Sequence, residues 1–182
     1  MQKRIFLNKA QIWVETVIYI LIGLTIIDIL LSMALPQIEI MKDRAIVEQT
    51  MSAMNILNNK ILETSEFEGS IRIVNLKIAK GKITIDSSAN KIQYELENTR
   101  YEFSQAGKEI TEGDIKIITE NYGKRYNIRL TMSYNTKMDF SYNNQDLSKV
   151  LQAGTAPYKI QIENKGFEEG KIGKTKIDFN II

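Results

Sequence analysis

The chain has 182 residues and a formal net charge of +2, from 24 lysine and arginine residues against 22 aspartate and glutamate residues. This length accommodates one membrane segment and one domain of about 100 to 120 residues. The chain contains no cysteine and no histidine. Disulfides, thiolate zinc sites and histidine-based acid–base catalysis are therefore excluded. The nearly balanced charge gives no reason to expect nucleic acid as a partner.

The chain begins with a short basic stretch, residues 1–10, which is followed by an almost unbroken apolar run from Ile12 to Leu35. As a helix this run is about 36 Å long, at roughly 1.5 Å per residue, which covers the ~30 Å hydrocarbon core of a bilayer. Lysine and arginine are enriched on the cytoplasmic side of membrane segments. The basic stretch therefore predicts a cytoplasmic N-terminus, with the remainder of the chain outside.

Three interpretations of this N-terminal region compete. A secretory signal peptide cut after the apolar run is one, but the run is long for a signal and Pro36 follows closely. An uncleaved membrane anchor accounts for the length but not for Glu15, an acid near the start of the run. In the third interpretation the basic stretch is a leader that is cut before the run, so that the apolar helix stays on the mature protein.

Lys9, Ala10 and Gln11, followed by Glu15, resemble the class III signal peptide of archaeal type IV pilins and archaellins. In that family a basic and a small residue precede the cut, Gln is commonly the first mature residue, and a Glu is the fifth. A cut between Ala10 and Gln11 would place Glu15 fifth. The resemblance implies a leader of residues 1–10, processing by a prepilin peptidase, and assembly on a membrane platform into a filament.

Glu15 is the candidate assembly residue. The resemblance implies that its carboxylate meets the freed N-terminal amine of a neighbouring subunit, and a buried carboxylate needs such a partner to offset its desolvation. A Glu15 held at the bilayer interface by water or by Lys9 is the alternative. A second acid, Asp28, lies about 220° around the helix from Glu15, so the two do not form a pair. Three alternatives stay open for Asp28: it is protonated in lipid, it contacts a neighbour in an assembly, or it is a tolerated defect near the outer leaflet.

Pro36 predicts a kink, because proline lacks a backbone donor and clashes with the preceding turn. The helix of residues 11–65 is thus expected to have a transmembrane or assembly half, 11–35, and an amphipathic half, 36–65. The amphipathic half is predicted to pack on the C-terminal domain and to end around Ser65. Its predicted apolar stripe consists of Ile38, Met41, Ala45, Ile46, Thr50, Ala53, Met54, Leu57 and Ile61.

Residues 66–182 change to a period of two, which is typical of half-buried antiparallel strands. Alternating runs lie at 71–73, 83–85, 92–96, 115–117, 126–134, 138–142, 160–162 and 177–179, and glycine- and asparagine-rich turns separate them. We therefore expect an α+β fold, in which a long bent N-terminal helix precedes an all-β antiparallel, sandwich-like domain. A single-sheet domain is the alternative. Residues 146–153 are expected to form a short helix or an edge connection.

The β domain shows no motif that predicts catalysis. It has no glycine-rich phosphate loop before a helix, and no spacing couples a nucleophile to a base. An oxygen-rich cluster suits Ca²⁺ by ligand type but lacks the fixed EF-hand spacing, and its asparagines are good turn formers. The cluster consists of Asp139, Asn143, Asn144 and Asp146. We predict no enzyme, cofactor or metal site. Tyr134, Phe140 and Tyr142 lie around one predicted hairpin and are expected to pack in the core.

Together these features predict a pilin-like structural subunit of an archaeal type IV pilus-like surface filament. Such a subunit lies in the cell membrane before assembly and in an extracellular filament afterwards, and its partners are the membrane and copies of itself. Whether it is a major, minor or pseudopilin-like subunit is left open. The alternative is a membrane-anchored extracellular β-sandwich binding protein with an uncleaved transmembrane helix.

Overall fold

The computed structural model describes residues 3–167 and 173–182, with side chains from Ile12 onward. Over these ranges the chain forms one helix, α1 (Lys3–Ser65), and ten strands. The strands are β1 (Ile71–Leu76), β2 (Lys82–Asp86), β3 (Lys91–Thr99), β4 (Glu109–Glu112), β5 (Ile115–Tyr122), β6 (Arg125–Ser133), β7 (Met138–Tyr142), β8 (Lys149–Gln152), β9 (Tyr158–Phe167) and β10 (Thr175–Ile181). The predicted α+β class is confirmed.

Two compact units share helix α1. The first ends at Met41, and the second is Lys42–Ile182. The helix contains Pro36 and continues through it, and it ends at Ser65, where the sequence pattern predicts. The kink at Pro36 stays a prediction.

The second unit contains two sheets, so the single-sheet alternative is wrong. Six strands form one sheet in the order β4-β5-β6-β3-β2-β8, in which all neighbours are antiparallel. Four strands form the other in the order β1-β9-β10-β7, in which β7 and β10 are parallel. The expectation of a wholly antiparallel domain is wrong for this pair. Parallel neighbours need a long connection, and here β8 and β9 lie between them in the chain.

The predicted hairpin around Tyr134 is also wrong, because β6 and β7 belong to different sheets. The chain crosses between the sheets after β6. Asn90 holds this crossing: its carbonyl accepts from the backbone N–H of Tyr134 at 2.8 Å, and its Oδ1 accepts from that of Phe140 at 2.6 Å. Asn90 has φ 48°, a left-handed conformation that asparagine tolerates better than most residues.

One hydrophobic core joins helix α1 to both sheets. The buried apolar helix residues are Val47, Met51, Met54, Leu57 and Ile61. The predicted stripe is therefore confirmed from Thr50 onward, whereas its first members Ile38, Met41 and Ala45 are exposed. Within the second unit, the buried apolar stripe begins at Val47.

The edges of the six-stranded sheet are the elements that periodicity located least well. Residues 146–153 contain β8, an edge strand beside β2, so the predicted edge connection is right and the short helix is wrong. Strand β4 was not predicted, and all four of its residues are exposed, which removes the alternation that marks other strands. The final strand β10 was expected from the C-terminal residues and is confirmed.

Candidate functional site

The apolar segment of helix α1, Ile12–Leu35, is the largest exposed apolar surface among the described residues. It is long and apolar enough to cross a membrane, and none of its residues is buried. Leu30, for example, is 61% exposed. Contiguous apolar surface of this size marks a site that contacts lipid or protein. The segment is therefore compatible with membrane insertion or self-association.

Hydroxyl groups within the apolar segment are satisfied by the helix itself. Thr16 donates to the carbonyl of Ile12 at 2.9 Å, and Thr25 donates to that of Leu21 at 2.7 Å. Ser32 makes a similar bond within the last turns of the segment. Such back-bonding keeps side-chain donors paired where no water is available. These three polar residues are therefore compatible with an apolar environment.

Both acids of the apolar segment lie on its exposed surface. Asp28 makes no side-chain hydrogen bond or ion pair within the described ranges 3–167 and 173–182. The predicted processing residues Lys9, Ala10 and Gln11 have helical backbone, but their side chains lie outside those described. The cut beside Gln11 and the assembly role of Glu15 therefore stay predictions.

Asp43 lies at the start of the second unit and links the helix to the six-stranded sheet. It is 2% exposed, and its carboxylate accepts from Lys80 Nζ at 2.6 Å and from Thr99 Oγ1 at 2.6 Å. Burial raises the pKa of Asp43, but the hydrogen bonds from Lys80 and Thr99 and the charge of Lys80 outweigh burial and hold this pKa below its ordinary value. The ionised form is therefore the one that the fold stabilises.

The backbone around Lys80 is positioned by its neighbours. The Tyr94 hydroxyl, in a side chain with no exposed surface, donates to the Lys80 carbonyl at 2.8 Å. Gly81 has φ +81°, and a Cβ there would lie 2.3 Å from the Glu95 carbonyl oxygen. Only glycine fits that turn without displacing β3. The turn before β2 thus presents the lysine to the helix.

A second polar contact links the helix to the same sheet. Asn58 donates from Nδ2 to Asp114 Oδ2 at 2.8 Å and accepts at Oδ1 from the Tyr134 hydroxyl at 2.6 Å. Burial, with a smaller effect from the Asp114 charge, raises the pKa of Tyr134. Near the helix end, Asn164 of β9 donates to the carbonyl of Thr64 at 3.1 Å. These side chains fix the second half of α1 to both sheets.

Sequence reasoning missed these anchors. Asp43 and Asn58 are polar and lie outside the predicted apolar stripe. Their spacing from apolar residues could have indicated this position. Asp43 is four residues before Val47, and Asn58 is four residues after Met54, so both lie beside the buried stripe.

The oxygen-rich cluster predicted near the β7 turn is explained by turn geometry. Asp139 accepts from Asn90 Nδ2 at 3.3 Å, and the backbone N–H of Asn144 donates to Asp178 at 2.7 Å. Asn143 and Asn144 have φ values of 52° and 59°. In the part of the chain that the structure describes, no group of three acidic side chains is placed to hold a metal ion.

The aromatic side chains expected in the core pack there. The rings of Tyr134 and Phe140 lie 5.0 Å apart, and those of Phe140 and Phe179 lie 4.9 Å apart. Tyr142 is half-buried under the Lys149 amine. Since Tyr134 follows β6 and Phe140 belongs to β7, this group joins the two sheets rather than the strands of one hairpin.

No protein-family model, curated protein or solved structure matches the chain. Its class is therefore defined by architecture: a membrane-length apolar helix at the N-terminus, whose helical continuation packs into an α+β domain of two sheets. This arrangement is consistent with the architecture of type IV pilins.

Proposed function

We propose that this protein is a pilin-like structural subunit of a type IV pilus-like surface filament. The supporting observation is the exposure of the apolar segment, Ile12–Leu35, on a chain whose second unit has a hydrophobic core of its own. Every described core residue lies at Val47 or beyond. No described core residue belongs to the apolar segment, and the exposed apolar side chains of the segment suit contact with lipid and with other copies.

One apolar surface serves two stages in this proposal. Before assembly the segment spans the cell membrane, with the N-terminus in the cytoplasm and the β domain outside. A prepilin peptidase removes residues 1–10, and an assembly platform transfers the subunit to the filament. There the segment packs against the same segment of other copies, which replaces lipid contacts by helix contacts. The role is structural, without catalysis or a cofactor.

Glu15 sets the register between subunits in this proposal. Leader removal would free the α-amine of Gln11, four residues before Glu15 and about 6 Å along a helix. Within the apolar interior of a filament, an acid is stabilised by a cation on a neighbouring copy. Each new subunit would then be accepted where its amine meets the preceding Glu15.

N-terminal sequencing of the protein purified from its native membrane or filament tests the processing step. A mature chain that begins at Gln11 agrees with the proposal. One that begins at Leu35 identifies an ordinary signal peptide and contradicts it. One that begins at Met1 identifies an uncleaved anchor and supports a membrane-anchored binding protein instead.

Replacing Glu15 tests assembly separately from membrane insertion. Glu15→Ala should remain in the membrane fraction but yield no filaments by negative-stain electron microscopy. Thr16→Ala is the matched control, because it changes the adjacent residue and removes only a bond within the helix. Normal filaments from Glu15→Ala would show that this carboxylate does not set the register.

A further inference from the structure

The two edge strands of the six-stranded sheet are short and carry opposite charges. Strand β4 lies at one end of the sheet and contains Glu109 and Glu112, and strand β8 lies at the other end and contains Lys149. Each has one neighbouring strand among the described residues. An edge strand presents backbone N–H and C=O groups that a further strand can bond. The two edges are therefore candidate contact surfaces for another chain.

The directions of the strands suit a second copy of this chain. Every neighbouring pair in the sheet is antiparallel, and five such pairs separate the two edges, so β4 and β8 run in opposite directions. A copy added in the same orientation beside β8 would therefore place its own β4 antiparallel to β8. The alternation of strand directions would continue across the contact.

The backbone of β8 has groups that point away from its neighbour β2. In an antiparallel ladder, successive residues bond alternately to the two sides of a strand. Ala153, directly after β8, donates to the Gly81 carbonyl at 3.1 Å, so Val150 and Gln152 direct their backbone groups to the free side. The Tyr158 hydroxyl donates to the Gln152 carbonyl at 2.9 Å, which agrees with this direction. Val150 thus offers a donor and an acceptor to a further strand.

The backbone of β4 has free groups at matching positions. A two-residue turn between Glu112 and Ile115 joins β4 to β5. In such a turn the carbonyl of the residue before it accepts from the N–H of the residue after it, so Glu112 bonds toward β5. Alternation then directs the backbone groups of Glu109 and Thr111 to the free side of β4.

One antiparallel register opposes all four residues of β4 to all four residues of β8. Its pairs are Glu109 with Gln152, Ile110 with Leu151, Thr111 with Val150, and Glu112 with Lys149. In this register the free backbone groups of the two edges meet each other, and an acid lies opposite a lysine, which stabilises a cross-strand pair. A shift by two residues leaves only two residues of each strand opposed and separates these charges.

The two faces of the sheet stay continuous in the same register. Ile110 lies opposite Ile117, which is buried, so Ile110 belongs to the face toward the core. Leu151 is buried on that face of β8. Ile110 is 36% exposed and Val150 is 46% exposed, so pairing would cover apolar surface on both strands. A slip by one residue would oppose a core-side residue to a solvent-side residue at every position.

We propose that strand β8 of one copy pairs with strand β4 of a second copy, with Lys149 opposite Glu112, so that the six-stranded sheets of successive copies join edge to edge. Two β4 strands do not suit each other, because they would bring four acids together. The contact is head-to-tail, since each copy uses β8 toward one neighbour and β4 toward another. It involves the second unit alone, and it applies to a membrane-anchored chain as well as to a filament subunit.

Disulfide trapping between two single variants tests this contact, because the chain has no cysteine of its own. Full-length Thr111→Cys and Val150→Cys change exposed residues and keep the charged pair. Co-expressed in one membrane and oxidised, they should form a covalent dimer, whereas either variant alone should stay monomeric. Opposed residues of a bonded antiparallel pair have Cα atoms about 5.5 Å apart. A disulfide needs a separation of about 4 to 7 Å.

Leu147→Cys is the matched control for Val150→Cys. Leu147 is also exposed, but it lies three residues earlier, about 10 Å along an extended chain. Its mixture with Thr111→Cys should give no dimer. Equal dimer from the two mixtures, or dimer from Thr111→Cys alone, would overturn the proposal. So would the absence of dimer from Thr111→Cys with Val150→Cys in membranes where both thiols react with a maleimide.

Charge exchange in the same assay gives a second measurement. Glu112→Lys in the Thr111→Cys chain, or Lys149→Glu in the Val150→Cys chain, should reduce the covalent dimer about tenfold, because an attractive pair becomes repulsive. Both exchanges together should restore it. Undiminished dimer from either single exchange would contradict the register. Dimer from a chain that forms no filaments would support the contact and contradict only the filament function.

Discussion

The two halves of helix α1 meet the same requirement, burial of apolar side chains, in different ways. Leu30 in the first half is 61% exposed, whereas Leu57 in the second half has no exposed surface. The first half has exposed apolar side chains around its whole circumference, which suits lipid or a bundle of helices. The second half is apolar along one stripe, which suits one sheeted domain. What distinguishes a surface for other molecules from one for the chain's own domain is how far around the helix the apolar side chains extend, rather than their mean hydropathy.

The largest expected effect comes from separating the halves. A chain of residues 36–182 should be soluble without detergent, because it retains every described member of the hydrophobic core. It should also lose all membrane association and filament formation. Size-exclusion chromatography measures the solubility of the truncated chain, and membrane flotation measures its membrane association. Circular dichroism measures its thermal unfolding. If the truncated chain were unfolded or insoluble, the apolar segment would be part of the fold, and the comparison would fail.

A matched pair of leucine substitutions sharpens the comparison. Leu57→Ala should lower the free energy of unfolding of the second unit by about 2 to 5 kcal/mol, because it removes buried methyl groups and leaves a cavity. Leu30→Ala should leave that free energy unchanged, because Leu30 is exposed and is not a member of the described core. Chemical denaturation in detergent measures both. Equal losses from the two variants would mean that the halves are energetically one unit.

Sequence periodicity predicted most elements of this fold because each depends on local spacing. The strand around Ile92–Leu96 could be predicted because alternate side chains enter the core. The apolar segment could be predicted because its length matches the thickness of a bilayer. Pairing between distant strands leaves no such mark. The parallel neighbours β7 and β10 and the crossing after Tyr134 therefore could not be predicted from local pattern.

The candidate site also contains some residues that the sequence predicts and others that only the folded chain shows. Composition located the apolar segment, and motif resemblance nominated Glu15 and the cut before Gln11. The polar anchor at Asp43 was missed because a charged residue is ordinarily placed on the solvent side of an amphipathic helix. Its partners Lys80 and Thr99 come from distant turns and strands, so only the folded chain shows that the acid is paired.

Asp43→Asn tests whether this anchor holds the helix on the six-stranded sheet. At neutral pH the variant should lose about 1 to 3 kcal/mol of unfolding free energy, since a buried acceptor of two hydrogen bonds loses its charge. The pKa of Asp43 is lower in the folded state, so its contribution is complete above the unfolded pKa and disappears as pH falls through the folded pKa.

The difference between wild type and Asp43→Asn should therefore be constant above about pH 4 and shrink below it. Urea denaturation of residues 36–182 at a series of pH values measures this difference. Glu48→Gln is the control, because its carboxylate is exposed and its ion pair with Arg44 is confined to the helix surface. A difference that persisted undiminished toward pH 2 would show that shape, rather than the charge of Asp43, stabilises the contact.

The smallest effect at neutral pH is expected from Tyr94→Phe, which removes one buried hydrogen bond to the Lys80 carbonyl and should cost about 1 kcal/mol. The difference in unfolding free energy between wild type and Tyr94→Phe should change sign at alkaline pH. Burial raises the pKa of Tyr94 to about 12, although a hydrogen bond with Thr50 opposes this rise and the charge of Asp43 adds to it. A raised folded-state pKa gives stability that is complete below the unfolded value of about 10 and is lost as pH rises toward 12.

Wild type should therefore lose unfolding free energy between pH 10 and 12 through Tyr94, whereas Tyr94→Phe should lose less and become the more stable protein within that interval. The variant keeps Tyr134 and the lysines, so their titration affects both proteins alike and cancels in the difference. Denaturation of residues 36–182 from pH 8 to 12 measures the crossing. If the unfolding free energies of the two proteins changed in parallel with pH and did not cross, the Tyr94 hydroxyl would be accessible to solvent. The second half of α1 would then be packed less tightly on the sheets than its buried side chains indicate.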